Sequence, residues 1–552
     1  MKLIRLKIQD EFRSLIKNFE INFREPVIDE SLNSFHPFCF AGLNGSGKSN
    51  VLEAISSIFY HLECIVNDYP VFAYDAKEST PNEFELEYFI AQEGVNNVGN
   101  FDHVFIKKKY NESPQLNLNG GEFETITKSF GKSYLPDLVV AYSSGENETI
   151  SLPYVKMKLF QYDQYLKDLK DHVKYEKPKS SLLYIDYEMS QAVLLTILLF
   201  FDYGQGLKKG VLDILEEEIS ISGMQQFTLN LNNHWQELIT EASSDELMEV
   251  MTRFEKEDEK IYIGRILDYL QEQIDKIKSC ATCRFEKGNY TAYSFLVDEN
   301  TKKLIKDKFN DAYSFFSVFQ ILHSLNERVE ENDYKYEVYN SKGFYTDYKR
   351  PTYNHFFYFT HYYIKKIENK VESKRLLREL SDGEQQFLHT LGICLMLQNK
   401  RTLLLLDEPE THFNPDWRSK FIDILRRTLE ASNDNFIYKD IILTSHSPFI
   451  ISDCFPDKVI VFEKDKQPNS AYDKNFRTFG TSVDIIMESI FKRNNTIGDF
   501  SAKIIYDIEK EIKGKKKLTD EQVIGYKKRT LELGDSMEKI LLYTKLNELK
   551  KK

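Results

Sequence analysis

The sequence predicts an α/β protein: a phosphate-binding head assembled from both ends of the chain, interrupted by a mainly helical insertion and followed by a helical C-terminal region. Three observations carry this. A glycine-rich turn, Gly42 to Ser49, stands between an apolar strand at Phe38–Ala41 and a helical pattern. Far downstream, the apolar runs Thr402–Leu406 and Ile441–Leu443 end in polar turns and alternate with helical stretches, as a parallel α/β core requires. Between the two ends, apolar residues recur three and four apart in Leu247–Ile277 and Leu304–Val329, the period of a helix.

At 552 residues the chain exceeds what a single hydrophobic core usually serves, so a division is expected. Residues 1–156 read as the N-terminal half of the head, with strands near the start, at Phe19–Phe23 and at Phe38–Ala41. Beyond residue 60 this half continues as a β-rich lobe, its short aromatic runs parted by turn clusters at Asn96–Asn100 and Asn117–Gly121. Residues 157–370 form the insertion, whose heptads are too brief for a long coiled coil. Residues 371–475 resume the head, and 476–552 read as helical, with Glu521–Leu549 as one extended charged helix.

An apolar content of 41%, with 40 Phe, 33 Tyr and only 14 Pro, describes a globular chain rather than a disordered one. The net charge of −13 argues against coating nucleic acid unaided, because phosphate contacts depend on Lys and Arg. The basic runs Lys107–Lys109, Lys513–Lys517 and Lys550–Lys552 read as solvated faces. Cys39, Cys64, Cys394 and Cys454 stand singly in or beside apolar segments, where a reduced thiol packs as a small hydrophobe. Cys280 and Cys283 form one CxxC without the second pair that zinc requires. The opening residues alternate charge with apolarity, and no apolar run reaches the roughly 18 residues of a membrane helix. A cytoplasmic protein with no membrane partner is expected.

Gly42-Leu-Asn44-Gly45-Ser46-Gly47-Lys48-Ser49 fits the phosphate-loop (Walker A) pattern in full, with Asn50 following on the helix. Its glycines let backbone amides turn toward phosphates, Lys48 neutralises their oxygens, and the Ser49 hydroxyl ligates magnesium. The strand Thr402–Leu406 ends in Asp407-Glu408-Pro409, a Walker B arrangement: Asp407 for the magnesium shell, Glu408 as general base toward the attacking water. Ser381-Asp-Gly383-Glu384 precedes it as a signature segment, offering a helix N-terminus to a second anion; it also satisfies a plain capping box. Thr444-Ser-His446 ends the next strand, with His446 placed to meet the γ-phosphate. Asn414 stands where a D-loop belongs, or simply caps the helix opening at Pro415. The loop Ser144-Gly-Glu-Asn-Glu148 is a candidate Q-loop, although no glutamine occurs there before Gln161.

Taken in this order, the motifs resemble the ABC-type ATPases of the SMC and RecF kind, so the expected fold is an ABC/SMC-type P-loop NTPase head. The resemblance implies ATP and Mg2+ as cofactors, hydrolysis of ATP, and a head-to-head homodimer or higher oligomer in which the Ser381 segment of one chain closes the phosphate loop of another. Asp-Glu-Pro-Glu-Thr-His at 407–412 and Thr-Ser-His-Ser-Pro at 444–448 resemble the AAA-type ATPases of bacterial defence systems, and Phe12-Arg-Ser14, Tyr142-Ser-Ser-Gly-Glu-Asn-Glu148 and Phe479-Gly480 are similar to restriction-system-associated ATPases, among them the PtuA-like proteins of Septu and retron anti-phage defence. That similarity implies a separate HNH nuclease partner of the PtuB kind, and in retrons also a reverse transcriptase with its DNA or RNA. A related group, the OLD nucleases, carries a Toprim domain with a Glu and a later Asp-x-Asp. That set is incomplete after His446, so nuclease chemistry is assigned to a partner. Two other readings stand beside this one: a RecF-like repair ATPase, and an ATP-gated scaffold with little turnover.

Overall fold

The computed structural model describes residues 1–67, 74–92, 101–127, 130–144, 150–157, 181–186, 189–206, 208–233, 271–326, 355–368, 370–433, 435–493 and 497–551. Two compact units divide the chain, 1–477 and 478–552.

The first unit holds three sheets. Strands β1 (Lys2–Ile8), β2 (Phe19–Asn22), β4 (Phe84–Ala91), β5 (Phe101–Lys108), β6 (Gln115–Leu118) and β7 (Phe123–Thr125) form an antiparallel sheet in the order β2-β1-β4-β5-β6-β7. Strands β3 (Phe38–Gly42), β8 (Leu138–Ser143), β9 (Leu182–Tyr184), β15 (Thr402–Asp407), β16 (Lys439–Ser445), β17 (Val459–Phe462) and β18 (Asn469–Ser470) form the second, in the order β18-β17-β3-β16-β15-β8-β9. It is parallel throughout except for β18. Strands buried on both faces read as unbroken apolar runs, which is why Leu403–Leu406 and Val459–Phe462 show no alternation.

Helix α1 (Lys48–Asn67) lies between these sheets. Its Leu52, Ile55, Phe59 and Leu62 share one buried cluster with Leu6, Leu86 and Ile106 of the antiparallel sheet and Leu403, Leu405 and Ile442 of the parallel one. Asp407 pairs with Thr444 across β15 and β16, and Ser445 with Ala41 across β16 and β3. The register therefore brings the ends of three neighbouring strands to one edge, where open α/β sheets bind ligands.

The insertion departs from the expected mainly helical character. Strands β10 (Ile221–Asn232), β11 (Cys283–Lys287), β12 (Tyr290–Leu296), β13 (Phe357–Glu368) and β14 (Val371–Leu376) form a five-stranded antiparallel sheet, ordered β11-β12-β10-β13-β14. Phe227 stacks on Phe295 across it at 4.3 Å, and Phe357 and Phe359 meet Phe319 of a helix below. Because β14 pairs with β13, the sheet crosses the expected boundary at residue 370. Helices α2 (Ser190–Phe200), α3 (Val211–Ile219), α4 (Glu299–Lys308) and α5 (Ala312–Asn326) accompany the sheet. The stretch Leu304–Val329 is thus helical as far as Asn326, interrupted between Lys308 and Ala312, whereas most of Leu247–Ile277 lies outside the described residues.

The head resumes with α6 (Asp382–Met396), α7 (Pro415–Ala431) and α8 (Pro448–Ser452). The second unit holds α9 (Val483–Ser489), α10 (Asp499–Ile512), α11 (Asp520–Arg529) and α12 (Met537–Lys551), and the last three bury Ile508, Ile512, Val523, Leu542 and Leu546 in a small core of their own. The single helix expected over Glu521–Leu549 is two, because residues 530–536 turn the chain so that α11 and α12 pack on each other. No helix among the described residues is long and apolar enough to cross a membrane.

Candidate functional site

Between β3 and α1 the loop turns at Gly42, whose φ is +152° and where a Cβ would meet the Phe462 carbonyl oxygen at 2.4 Å. Only glycine fits that approach. The loop walls a cavity of about 480 Å3 lined by Ser14, Asn44, Gly45, Gly47, Lys48, Ser49, Asn50, Glu408 and His446. Gly42, Ser46 and Asp407 are not part of that lining, and neither are Ser381, Gly383, Glu384 and Asn414.

Inside the cavity, three stretches far apart in the chain come into contact. Lys48 Nζ donates to the carbonyls of Gly42 (3.1 Å) and Leu43 (3.2 Å) and lies 2.9 Å from His446 Nε2. His446 Nε2 is in turn 3.3 Å from Glu408 Oε1. That nitrogen cannot serve both neighbours at once: unprotonated it accepts from Lys48, protonated it donates to Glu408. The bond to His446 holds the Glu408 carboxyl below the usual range, whereas burial lowers the Lys48 ammonium.

Ser49 Oγ donates to Asp407 Oδ1 at 2.8 Å. The same carboxylate oxygen accepts from Thr444 Oγ1 at 2.7 Å, and Thr444 Oγ1 accepts the Glu408 amide at 2.9 Å. One hydroxyl therefore spaces the two acidic residues. Glu408 has φ +46°, the left-handed region that non-glycine residues seldom enter, and this turns its side chain out of the strand direction. Ser49 and Asp407 present two adjacent hard oxygens, the donor type that magnesium takes, so the pair fits such an ion.

The signature segment opens α6 by a full capping box: Glu384 N donates to Ser381 Oγ, and Ser381 N to Glu384 Oε2 at 2.8 Å. Lys366 of β13 donates to Glu384 Oε1 at 2.8 Å, so a strand of the insertion holds the cap. Asn414 caps α7, its Oδ1 accepting from Trp417 N at 2.8 Å, with Pro415 in the first turn. Of the candidate Q-loop, Ser144 is bonded to Thr411 at 2.8 Å, and residues 145–149, like Gln161, lie outside the described residues.

Four contributors were not assigned roles from sequence. Ser14 reaches the cavity because Arg13 anchors its loop to Glu53 at 2.7 Å and Asn50 Nδ2 donates to Ser14 Oγ at 2.7 Å. Glu410 and Gln386 sit behind the turn, and Lys366 has no neighbour in sequence that points to it. Thr444 did carry a signal, a hydroxyl directly after the apolar run Ile441–Leu443.

Residues 296–452 match the family described as AAA domain, putative AbiEii toxin, Type IV TA system. Protein ea59 of Escherichia phage lambda is 23% identical over 139 residues, a match spanning 25% of this chain and 25% of that protein's length. Two solved structures overlap broadly at low similarity. An Smc head bound to the C-terminal winged-helix domain of ScpA has 11% identity and a TM-score of 0.31, covering 85% of this chain and 96% of that one. The recombination mediator RecF with ATPrS has 14% identity and a TM-score of 0.27, covering 84% and 98%. Overlaps at such scores carry no argument, and the α/β P-loop fold stands on the strand order and loop geometry above.

Proposed function

We propose that this chain binds and hydrolyses ATP as an ABC/SMC-type ATPase. The observation that carries the reading is the meeting of Lys48, His446 and Glu408 above the Ser49–Asp407 pair, in a cavity floored by a phosphate loop. Loop amides and Lys48 would receive the phosphates, Lys48 exchanging its carbonyl partners for phosphate oxygens. Glu408, kept ionised by its neighbours, would take the proton of the attacking water, with His446 beside it orienting that water and the γ-phosphate. Magnesium, held through Ser49 and Asp407, would supply charge neutralisation on the phosphates. Single-turnover hydrolysis tests this: wild type should convert bound ATP to ADP, and Glu408→Gln should bind ATP yet lose at least about a hundredfold in rate. Equal inactivity of the two proteins, with ATP bound to both, would leave only the ATP-gated scaffold.

Two protomers would complete each site, the Ser381, Gly383 and Glu384 segment of one approaching the nucleotide of the other, with Asn414 near the junction. The cavity lining contains none of those four residues, which supports completion in trans. The motif resemblance further supports work in anti-phage defence, where nucleotide-dependent pairing of heads controls a PtuB-like HNH nuclease. Copurification with such a nuclease, present with ATP and lost in Lys48→Ala, would test that role.

A further inference from the structure

Glu410 is 4% exposed and is not among the residues that line the cavity, so the ATPase reading leaves it without a task. Its Oε1 accepts from Ser445 Oγ, and its Oε2 has no hydrogen-bond partner among the described residues. Burial, with Glu408 nearby, pushes its carboxyl up to about 7. A buried acid with one oxygen unsatisfied is costly where shape alone matters, and an apolar side chain would fill the space at less expense.

The bonds around it show what its carboxyl reaches. Ser445 Oγ also accepts from Ser447 N at 2.9 Å, so both residues flanking His446 are tied to Glu410 through one hydroxyl. On the other side, Gln386 of α6 brackets Glu410: its Nε2 donates to Pro409 O at 2.9 Å and its Oε1 accepts from His412 N at 3.1 Å. The first turn of α6 presses on the same loop, since a Cβ at Gly383 would lie 2.7 Å from His412 O. The chain of contacts therefore runs from the helix that opens at Ser381, through Gln386 and Glu410, to the turn bearing His446.

We propose that Glu410 is a positioning residue, fixing the His446 turn through Ser445 and linking it through Gln386 to the signature helix. This deepens the ATPase reading and rests on His446 acting at the nucleotide. A displacement of the first turn of α6 by a partner's nucleotide would then be felt at the histidine of the same chain. Each head would sense the occupancy of the site opposite through side-chain contacts within itself.

The test needs a readout independent of turnover. In the full chain with 15N-labelled histidine, the ring resonances of His446 are identified by their loss in His446→Gln. Glu410→Ala and Ser445→Ala should each move those resonances, and the double variant should move them no further, because both act along one path. Single-turnover hydrolysis should fall about tenfold in each with ATP affinity unchanged, as for a misplaced but present catalytic group. Glu410→Gln, which keeps an acceptor oxygen, should stay close to wild type. The proposal is overturned if Glu410→Ala leaves the His446 resonances where they are, or if the two single effects add. Should Glu410→Ala fail to fold, Ser445→Ala against wild type decides by the same resonances. Absence of hydrolysis in wild type would sink the ATPase reading while the resonances still judge the positioning.

Discussion

Thr444 shows how much of the site hangs on a single hydroxyl. It donates to Asp407 and accepts from the Glu408 amide, so it sets the carboxylate proposed for magnesium and the backbone of the proposed base at once. Thr444→Val keeps the shape but leaves a buried amide and carboxylate short of a partner, at about 1–3 kcal/mol. Hydrolysis should fall at least about tenfold, and Thr444→Ser should restore most of it. Chemical denaturation and single-turnover rates check the two halves. Glu410 offers a pH test. Its folded carboxyl, raised to about 7 from 4.5, binds its proton more tightly than in the unfolded chain. That contribution to stability is full below about pH 4.5 and lost as pH rises through 7. Glu410→Gln carries no such titration, so its stability relative to wild type should climb between pH 4.5 and pH 8, by at most about 3 kcal/mol. A stability difference independent of pH would contradict the buried ionisation.

At the scale of elements, the segments that meet at the candidate site were legible and the scaffold around them was only partly so. The phosphate loop, Asp407-Glu408 and Thr444-Ser-His446 could be read because the chemistry demands those residue types at the ends of apolar strands, and the strand register brings them together. Ser14 was not legible as a lining residue, since the Arg13–Glu53 pair across 40 positions and the Asn50–Ser14 bond aim its loop. The five-stranded sheet was missed because its central strand β10 pairs with β12 and β13, far away in sequence, and neither pairing leaves a local mark. The helical periods of Leu247–Ile277 and Leu304–Val329 dominated that reading. Gly383 tests the junction of α6 with the 409–412 loop: Gly383→Ala would press on the His412 carbonyl and should destabilise the chain by about 1–3 kcal/mol. Lys366→Met should free Glu384, whose carboxyl is held below its usual range by Lys366 and the Ser381 amide against the opposing pull of burial. Loss of hydrolysis without loss of ATP affinity is the expected outcome, checked by equilibrium binding beside single-turnover rates.

The chain divides into a unit of residues 1–477, which holds the candidate site, and a helical unit with a separate core. Every residue assigned to the nucleotide lies in the first unit, yet among the described residues these divide unequally: the loop, Asn50, Glu408, His446 and Ser14 line the cavity, and the Ser381 segment does not. That asymmetry is the physical ground for the central claim, that a working site needs two chains. Complementation tests it most directly. Lys48→Ala spoils the phosphate loop and Ser381→Arg spoils the segment offered to the partner, so each variant alone should be inactive. In an isologous pair, mixing the two leaves one intact site in each heterodimer, and roughly a quarter of the wild-type hydrolysis should return. A mixture as inactive as its components, or full activity of Ser381→Arg by itself, would contradict the account.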